Sequence, residues 1–311
     1  MKPYAFGVDV GGTTVKIGLF KTDGTLLEKW EIPTRTEGGG KAILPDIKEA
    51  VLKKMEERKL SPDDVEGIGM GVPGPISTDG TVLKCVNLGW GVFNVEESLS
   101  ELTGLKVKAG NDANVAALGE MWQGGGKGYK SLVMVTLGTG VGGGIILNER
   151  ILVGSNGAAG EIGHIPMRDD ETECCGCGNK GCLEQYASAT GIVRMTRKYL
   201  AAHPEVKTSI KEEITAKSIC DAANEGDETG LLMVQEVSAM LGKALATIAG
   251  VVNPEAFVIG GGMARAGQIL LDGIEKYYKH YAFHATRNIP LRLAQLGNDA
   301  GIFGGVKLVL D

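Results

Sequence analysis

Apolar residues along this chain follow two rhythms. Short runs that they dominate, Tyr4–Val10, Val15–Phe20, Val65–Val72, Leu132–Leu137 and Ala256–Ile259, predict strands. Ile43, Ile47, Val51 and Met55 recur every four residues and predict an amphipathic helix. Further helices are expected from about Val95 and over Val115–Gln123, Ala187–Leu200, Ala216–Glu225, Thr229–Val252, Ala266–Tyr278 and Gly301–Leu310. The remaining strands are expected up to Trp30, within Val82–Trp90, and over Lys106–Ala109, Gly144–Leu147 and Leu291–Leu296. Strands alternating with helices put the chain in the α/β class.

The polar breaks between runs carry the next layer. Strand Tyr4–Val10 passes through Gly11-Gly12-Thr13-Thr14 into another strand, and Leu132–Leu137 passes through Gly138-Thr139-Gly140 into another. Two hairpins with Gly/Thr tips, one per half, predict a duplicated architecture with a cleft between lobes. Turned backbone N–H groups form concavities that bind anions, so the tips are candidate holders of nucleotide phosphates. Asp9, beside the first tip, is a candidate for positioning Mg²⁺ through water. A third glycine run ends strand Ala256–Ile259 at Gly260-Gly261-Gly262. Gly138 to Gly143 formally matches a dinucleotide fingerprint, but that motif must open a helix, whereas a strand-like Gly-Ile-Ile-Leu follows here. No Gly-x-x-x-x-Gly-Lys-Ser/Thr occurs, which excludes a P-loop.

Asn111-Asp112 stands where a strand passes into a helix, the place where α/β folds present chemistry. One carboxylate there could accept the proton of an attacking hydroxyl in phosphoryl transfer. Both residues are also common helix N-caps, and position alone does not separate the two roles.

Composition narrows the classes. The 311 residues suffice for two domains, and 43% hydrophobic residues can fill both cores. A net charge of −6 with interspersed signs carries no footprint for nucleic acid or an anionic membrane. No apolar run approaches membrane-spanning length, and no signal peptide is visible. Of six cysteines, Cys85 and Cys220 stand alone, while Cys174, Cys175, Cys177 and Cys182 cluster. Clustering this tight favours a metal over disulfides, and the lack of a visible signal peptide leads to the expectation of a reducing cytoplasm. Glycine is the outlier at 48 residues, about twice the usual share.

The cysteine cluster belongs to a loop from Glu161 to Glu184. His164 precedes Cys175-Gly-Cys177, and Cys182 follows. One imidazole and three thiolates at this spacing match a closed Cys₃His zinc site. Glu161 and Glu184 flank it. A metal that fixes a loop bearing two carboxylates suggests a ligand they must meet; the plainer reading is a knuckle that only staples a long loop.

Together, Asp9-Val-Gly11-Gly12-Thr13, Glu161-Ile-Gly-His164 and Cys175-x-Cys177-Gly-x-x-Gly-Cys182-x-Glu184 resemble the ROK family of sugar kinases and repressors. The resemblance runs from Asp9 to the last helix and looks most like the bacterial glucokinase branch. It implies an actin/hexokinase-like (ribonuclease H-like) fold of two lobes. One would hold residues 1–108 with a closing helix at about 298–311, and the other residues 109–297 with the zinc loop 161–184.

By this resemblance Asp112 is the general base for the 6-hydroxyl of glucose, with ATP as donor. Gly74, Asn111, Glu161, His164 and Glu184 would contact the sugar. Gly11, Gly12, Thr13, Gly138, Thr139 and Gly140 would hold the ATP phosphates, with Gly261 and Gly262 near the adenosine. Lys16 would approach the phosphates, although a solvated strand lysine fits equally. His164, Cys175, Cys177 and Cys182 would bind structural Zn²⁺, with Cys174 a competitor for Cys175. N-acetylmannosamine, fructose or mannose are alternative substrates. A regulator in this family would carry a helix-turn-helix before the first hairpin, and eight residues before Asp9 are too few for one. Homodimers or homotetramers are expected.

Overall fold

The computed structural model describes residues 1–211 and 213–311. The chain divides into two compact units, Met1–Ser131 with Gly144–Gly160 and Gln295–Asp311, and Leu132–Gly143 with Glu161–Ala294.

In the first unit, β1 (Tyr4–Val10) pairs antiparallel with β2 (Thr14–Lys21), which pairs with β3 (Leu26–Pro33). The chain continues through α1 (Ile43–Arg58) to β4 (Val65–Val72), parallel to β1. Short strands β5 (Thr81–Val82) and β6 (Phe93–Asn94) precede α2 (Val95–Thr103), where Asn94 caps the helix by accepting from Glu97 N–H at 2.9 Å. Then β7 (Val107–Asn111) pairs parallel with β4 and leads directly into α3 (Asp112–Gln123). The resulting sheet order is β3-β2-β1-β4-β7. One face buries Phe6, Val8, Ile68 and Met70 against Ile43, Ile47 and Val51 of α1, whose four-residue rhythm is thereby explained.

Continuing along the chain, β8 (Leu132–Leu137), β9 (Val141–Leu147) and β10 (Arg150–Ile151) are followed by the cysteine loop. Next come α4 (Glu184–Ala187), α5 (Ala189–Ala202), α6 (Ala216–Asn224) and α7 (Glu228–Val252). The chain closes with β11 (Ala256–Gly260), α8 (Gln268–Tyr281), β12 (Leu291–Leu293) and α9 (Ala300–Leu310). A second sheet has the order β10-β9-β8-β11-β12, with β8, β11 and β12 parallel.

Three expectations need correction. The stretch Ala187–Leu200 is not one helix: Ser188 interrupts it, extended at φ −89° and ψ 168°, and its hydroxyl accepts from Gly191 N–H to start α5. The strand expected to reach Leu296 ends at Leu293, because the amides of Gln295 and Leu296 turn to donate to the buried Glu120 carboxylate. Against the expectation of no membrane-length run, α7 passes that test by length and composition. Its Val237, Leu241 and Leu245 are nevertheless buried, as the core helix of the second unit requires.

The last helix completes the first unit. Gly69 of β4 and Gly305 of α9 meet backbone to backbone, and a Cβ on Gly304 would fall inside Val115 O of α3. Helix and sheet can approach this closely only without side chains between them.

Candidate active site

In the first unit, the parallel strands bring their carboxyl ends level. Asp9 of β1 pairs with Gly71 of β4, which pairs with Gly110 of β7. The glycines between leave room for two acids to converge, and a Cβ on Gly71 would already lie 3.5 Å from the Asp112 Cα. Burial pushes the Asp9 carboxyl up to about 6, the Asp112 charge adds to this, and Lys16 opposes it. Gly301, in the first turn of α9, sits against the same carboxylate: a Cβ there would lie 2.6 Å from Asp9 Cγ.

Asn111 is the N-cap of α3, its Oδ1 accepting from Ala113 and Asn114 N–H at 3.1 and 3.2 Å. Its Nδ2 donates to Gly74 O at 3.1 Å, fastening the Pro73-Gly74-Pro75 turn to the same corner. Asp112 is the first residue of α3, with Ala113 N–H donating to its Oδ1 at 2.8 Å. The capping role expected of the pair falls to Asn111, and Asp112 is carried on the helix it caps. Cys85, which the sequence sets apart from the cysteine cluster, is buried near this corner, where burial and then the Asp112 charge raise its thiol.

The first tip is held from outside. Gly11 N–H donates to Thr14 O at 3.0 Å, while Thr34 donates to it twice, Oγ1 to Gly11 O at 2.7 Å and N–H to Thr13 O at 2.8 Å. Lys16 lies opposite Asp9 on β2, and its ammonium donates to Asn298 O at 2.5 Å and pairs with Asp299 at 3.3 Å.

In the second unit, the tip Gly138-Thr139-Gly140 joins β8 to β9, which confirms that Gly143 lies in a strand rather than a helix. Ala189 N–H donates to Gly138 O and Thr190 Oγ1 to Thr139 O, both at 2.8 Å. Gly261 takes φ 85° where β11 ends, and a Cβ on it would lie 2.5 Å from Leu137 O, so its loop runs beside this tip. Gly262 follows, exposed, in a short 3₁₀ turn.

Glu161 opens the 3₁₀ turn Ile162–His164. The ligand atoms of His164, Cys175, Cys177 and Cys182 all lie within 4.8 Å of one another. A zinc tetrahedron with bonds near 2.3 Å has edges of about 3.8 Å. Cys175 Sγ is 3.8 Å from His164 Nδ1, and Cys177 Sγ is 3.6 Å from Cys182 Sγ, so the donors fit such an ion in chemistry and in spacing. Cys174 is outside the group: it is exposed and bridges to Lys180. Glu184 starts α4, with Oε1 3.8 Å from Cys175 Sγ and Oε2 accepting from Val141 N–H at 2.9 Å.

A network that no sequence motif announced braces this loop. Arg194 of α5 donates to Glu171 and Glu173 at 2.8 Å and to Gln185 O at 3.1 Å. Hydrogen bonding to Arg194 draws the Glu171 carboxyl down to about 2. Gln185 in turn accepts from Cys182 N–H at 3.1 Å.

A profile of the ROK family matches residues 5–311. A glucokinase of Halalkalibacterium halodurans is 45% identical over 309 residues, covering 97% of this chain and 94% of that protein. Among solved structures, a ROK family glucokinase from Streptomyces griseus in complex with glucose and AMPPNP is 34% identical with a TM-score of 0.77, and 98% of each chain is covered. A ROK hexokinase from Thermus thermophilus is 30% identical with a TM-score of 0.80, covering 99% of this chain and 98% of that one. The fold is the expected actin/hexokinase-like α/β fold. By profile, sequence and fold alike, the chain belongs to the ROK family.

Proposed function

We propose that this chain catalyses the ATP-dependent phosphorylation of glucose at its 6-hydroxyl. The observation that carries the reading is Asp112 at the junction of β7 and α3, on a helix whose N-cap, Asn111, is tied to Gly74. The likeness to glucokinases over nearly the whole chain supports the choice of sugar and donor.

In the proposed reaction the Asp112 carboxylate accepts the proton of the 6-hydroxyl as its oxygen attacks the γ-phosphorus. The bond from that phosphorus to the bridging oxygen breaks, and ADP leaves with the electron pair. Gly74, Asn111, Glu161, His164 and Glu184 are the proposed sugar contacts. Gly11, Gly12, Thr13, Gly138, Thr139 and Gly140 are the proposed phosphate holders, Lys16 adds positive charge, and Gly261 and Gly262 flank the adenosine. The helix N-terminus beneath Asp112 favours negative charge at that point.

Two ions complete the proposal. Mg²⁺ beside Asp9 would neutralise charge on the phosphates. Zn²⁺ on His164, Cys175, Cys177 and Cys182 would be structural, since four protein ligands leave no position for water. The test is an ADP-release assay with ATP across glucose, N-acetylmannosamine, fructose and mannose, and an assay of sugar phosphate formed when ADP or polyphosphate is the donor. Glucose with ATP should give the highest kcat/KM. A preference for another hexose would overturn the substrate, and no ADP release with any of them would overturn the reaction.

A further inference from the structure

A peptide unit is planar and trans, so its C=O and N–H point in opposite directions. Whatever grips a tip carbonyl therefore aims the next residue's N–H the other way. Thr34 Oγ1 grips Gly11 O, which aims the Gly12 amide, and Thr190 Oγ1 grips Thr139 O, which aims the Gly140 amide. The neighbouring peptides are set in the same manner. Thr34 N–H holds Thr13 O, and Ala189 N–H holds Gly138 O. In the second tip Val141 N–H is directed to Glu184 Oε2 while Gly140 O receives Gly138 N–H at 3.0 Å, consistent with one fixed orientation throughout.

We infer that Thr34 and Thr190 are positioning residues for the phosphoryl donor: each hydroxyl orients one amide of a phosphate-holding tip without touching the phosphate. Neither residue belongs to a tip, and each comes from a different segment, the residue just past β3 and the first turn of α5. Thr190 is itself held by Ser188, with the two hydroxyls 3.0 Å apart, and Ser188 is fully buried as the α5 N-cap. Anchoring of this kind keeps donor groups aimed before the ligand arrives, and it removes an ordering cost from binding. The inference rests on the reading of both tips as phosphate holders.

The test measures binding of a non-hydrolysable ATP analogue with Mg²⁺, and separately of glucose, by calorimetry of Thr34→Val, Thr190→Val and the corresponding serine variants. Each valine variant should weaken nucleotide binding about tenfold, the scale of one hydrogen bond. Glucose affinity should stay within about twofold, and serine should restore nucleotide affinity. Unchanged nucleotide affinity in both valine variants would overturn the inference, as would an equal loss for glucose or failure of serine to rescue. If a valine variant does not fold, alanine against serine at that position carries the same comparison. Native protein that binds glucose but no ATP analogue would instead sink the reading of the tips, and the inference with it.

Discussion

Asp9 and Asp112 share the carboxyl end of one sheet, and the second acid, adding to the effect of burial, keeps the first from ionising at its ordinary pH. From its usual 3.8 the Asp9 carboxyl rises to about 6. Well below pH 3.8 it is protonated whether the chain is folded or not, and well above pH 6 it is ionised in both states. Between these limits the folded chain binds more protons, so stability falls as pH rises through the window.

Asp9→Asn should therefore stabilise the ligand-free protein by up to about 3 kcal/mol at pH 8 and by nothing well below pH 3.8. Urea unfolding at both pH values reads the difference. Equal stability of the two proteins at pH 8 would show that Asp9 bears no such burden. The same variant should lose kinase activity, a case of stability surrendered for function.

Replacing Asp112 with asparagine keeps the shape of the α3 N-terminus and removes the proton acceptor. We expect kcat to fall by roughly 10²–10⁴ with glucose binding little changed. A kcat within tenfold of wild type would remove Asp112 from the chemistry.

Metal content separates the thiols. Cys175→Ser and Cys177→Ser should lower bound zinc sharply, and Cys174→Ser should not, because Cys174 lies outside the four-donor group. Chelation should lower the melting temperature and open the loop to trypsin at the exposed Lys180. Zinc retained by Cys175→Ser but lost by Cys174→Ser would reverse the ligand assignment.

Helix α9 offers a test of packing alone. Gly304→Ala places a methyl group against Val115 O and should cost roughly 1–3 kcal/mol or more. An alanine variant with native melting temperature would mean that α9 can move off the sheet at little cost.

What could be read from the sequence was whatever is local. The two Gly/Thr tips join strands, Asn111-Asp112 stands between a strand and a helix, and His164, Cys175, Cys177 and Cys182 come together, each a local pattern within a short stretch. Lys16 was left between phosphate and solvent; the structure gives it Asp299, a partner 283 residues away that no pattern links to it. Thr34, Thr190, Gly301 and Arg194 were missed for the same reason. A lone threonine or glycine carries no periodicity, and its role exists only once distant segments meet. Ser188 was the recoverable miss, since a serine followed by Ala-Thr-Gly could have been read as a cap rather than as helix interior.

The assembly of the first unit from three separated segments sets an order of events during synthesis. Residues 295–311 leave the ribosome after the second unit, yet α9 packs on β1, β4 and α3, which are made before that unit. The second unit lies wholly upstream of that segment and can close before it emerges. The N-terminal sheet must wait with Phe20 and Ala5 uncovered until Ile302, Val306 and Val309 arrive to cover them. Domains usually mature from the N-terminus onward. Here the unit that begins earlier is completed after the one that follows it, and its unfinished sheet is the surface a chaperone would have to guard.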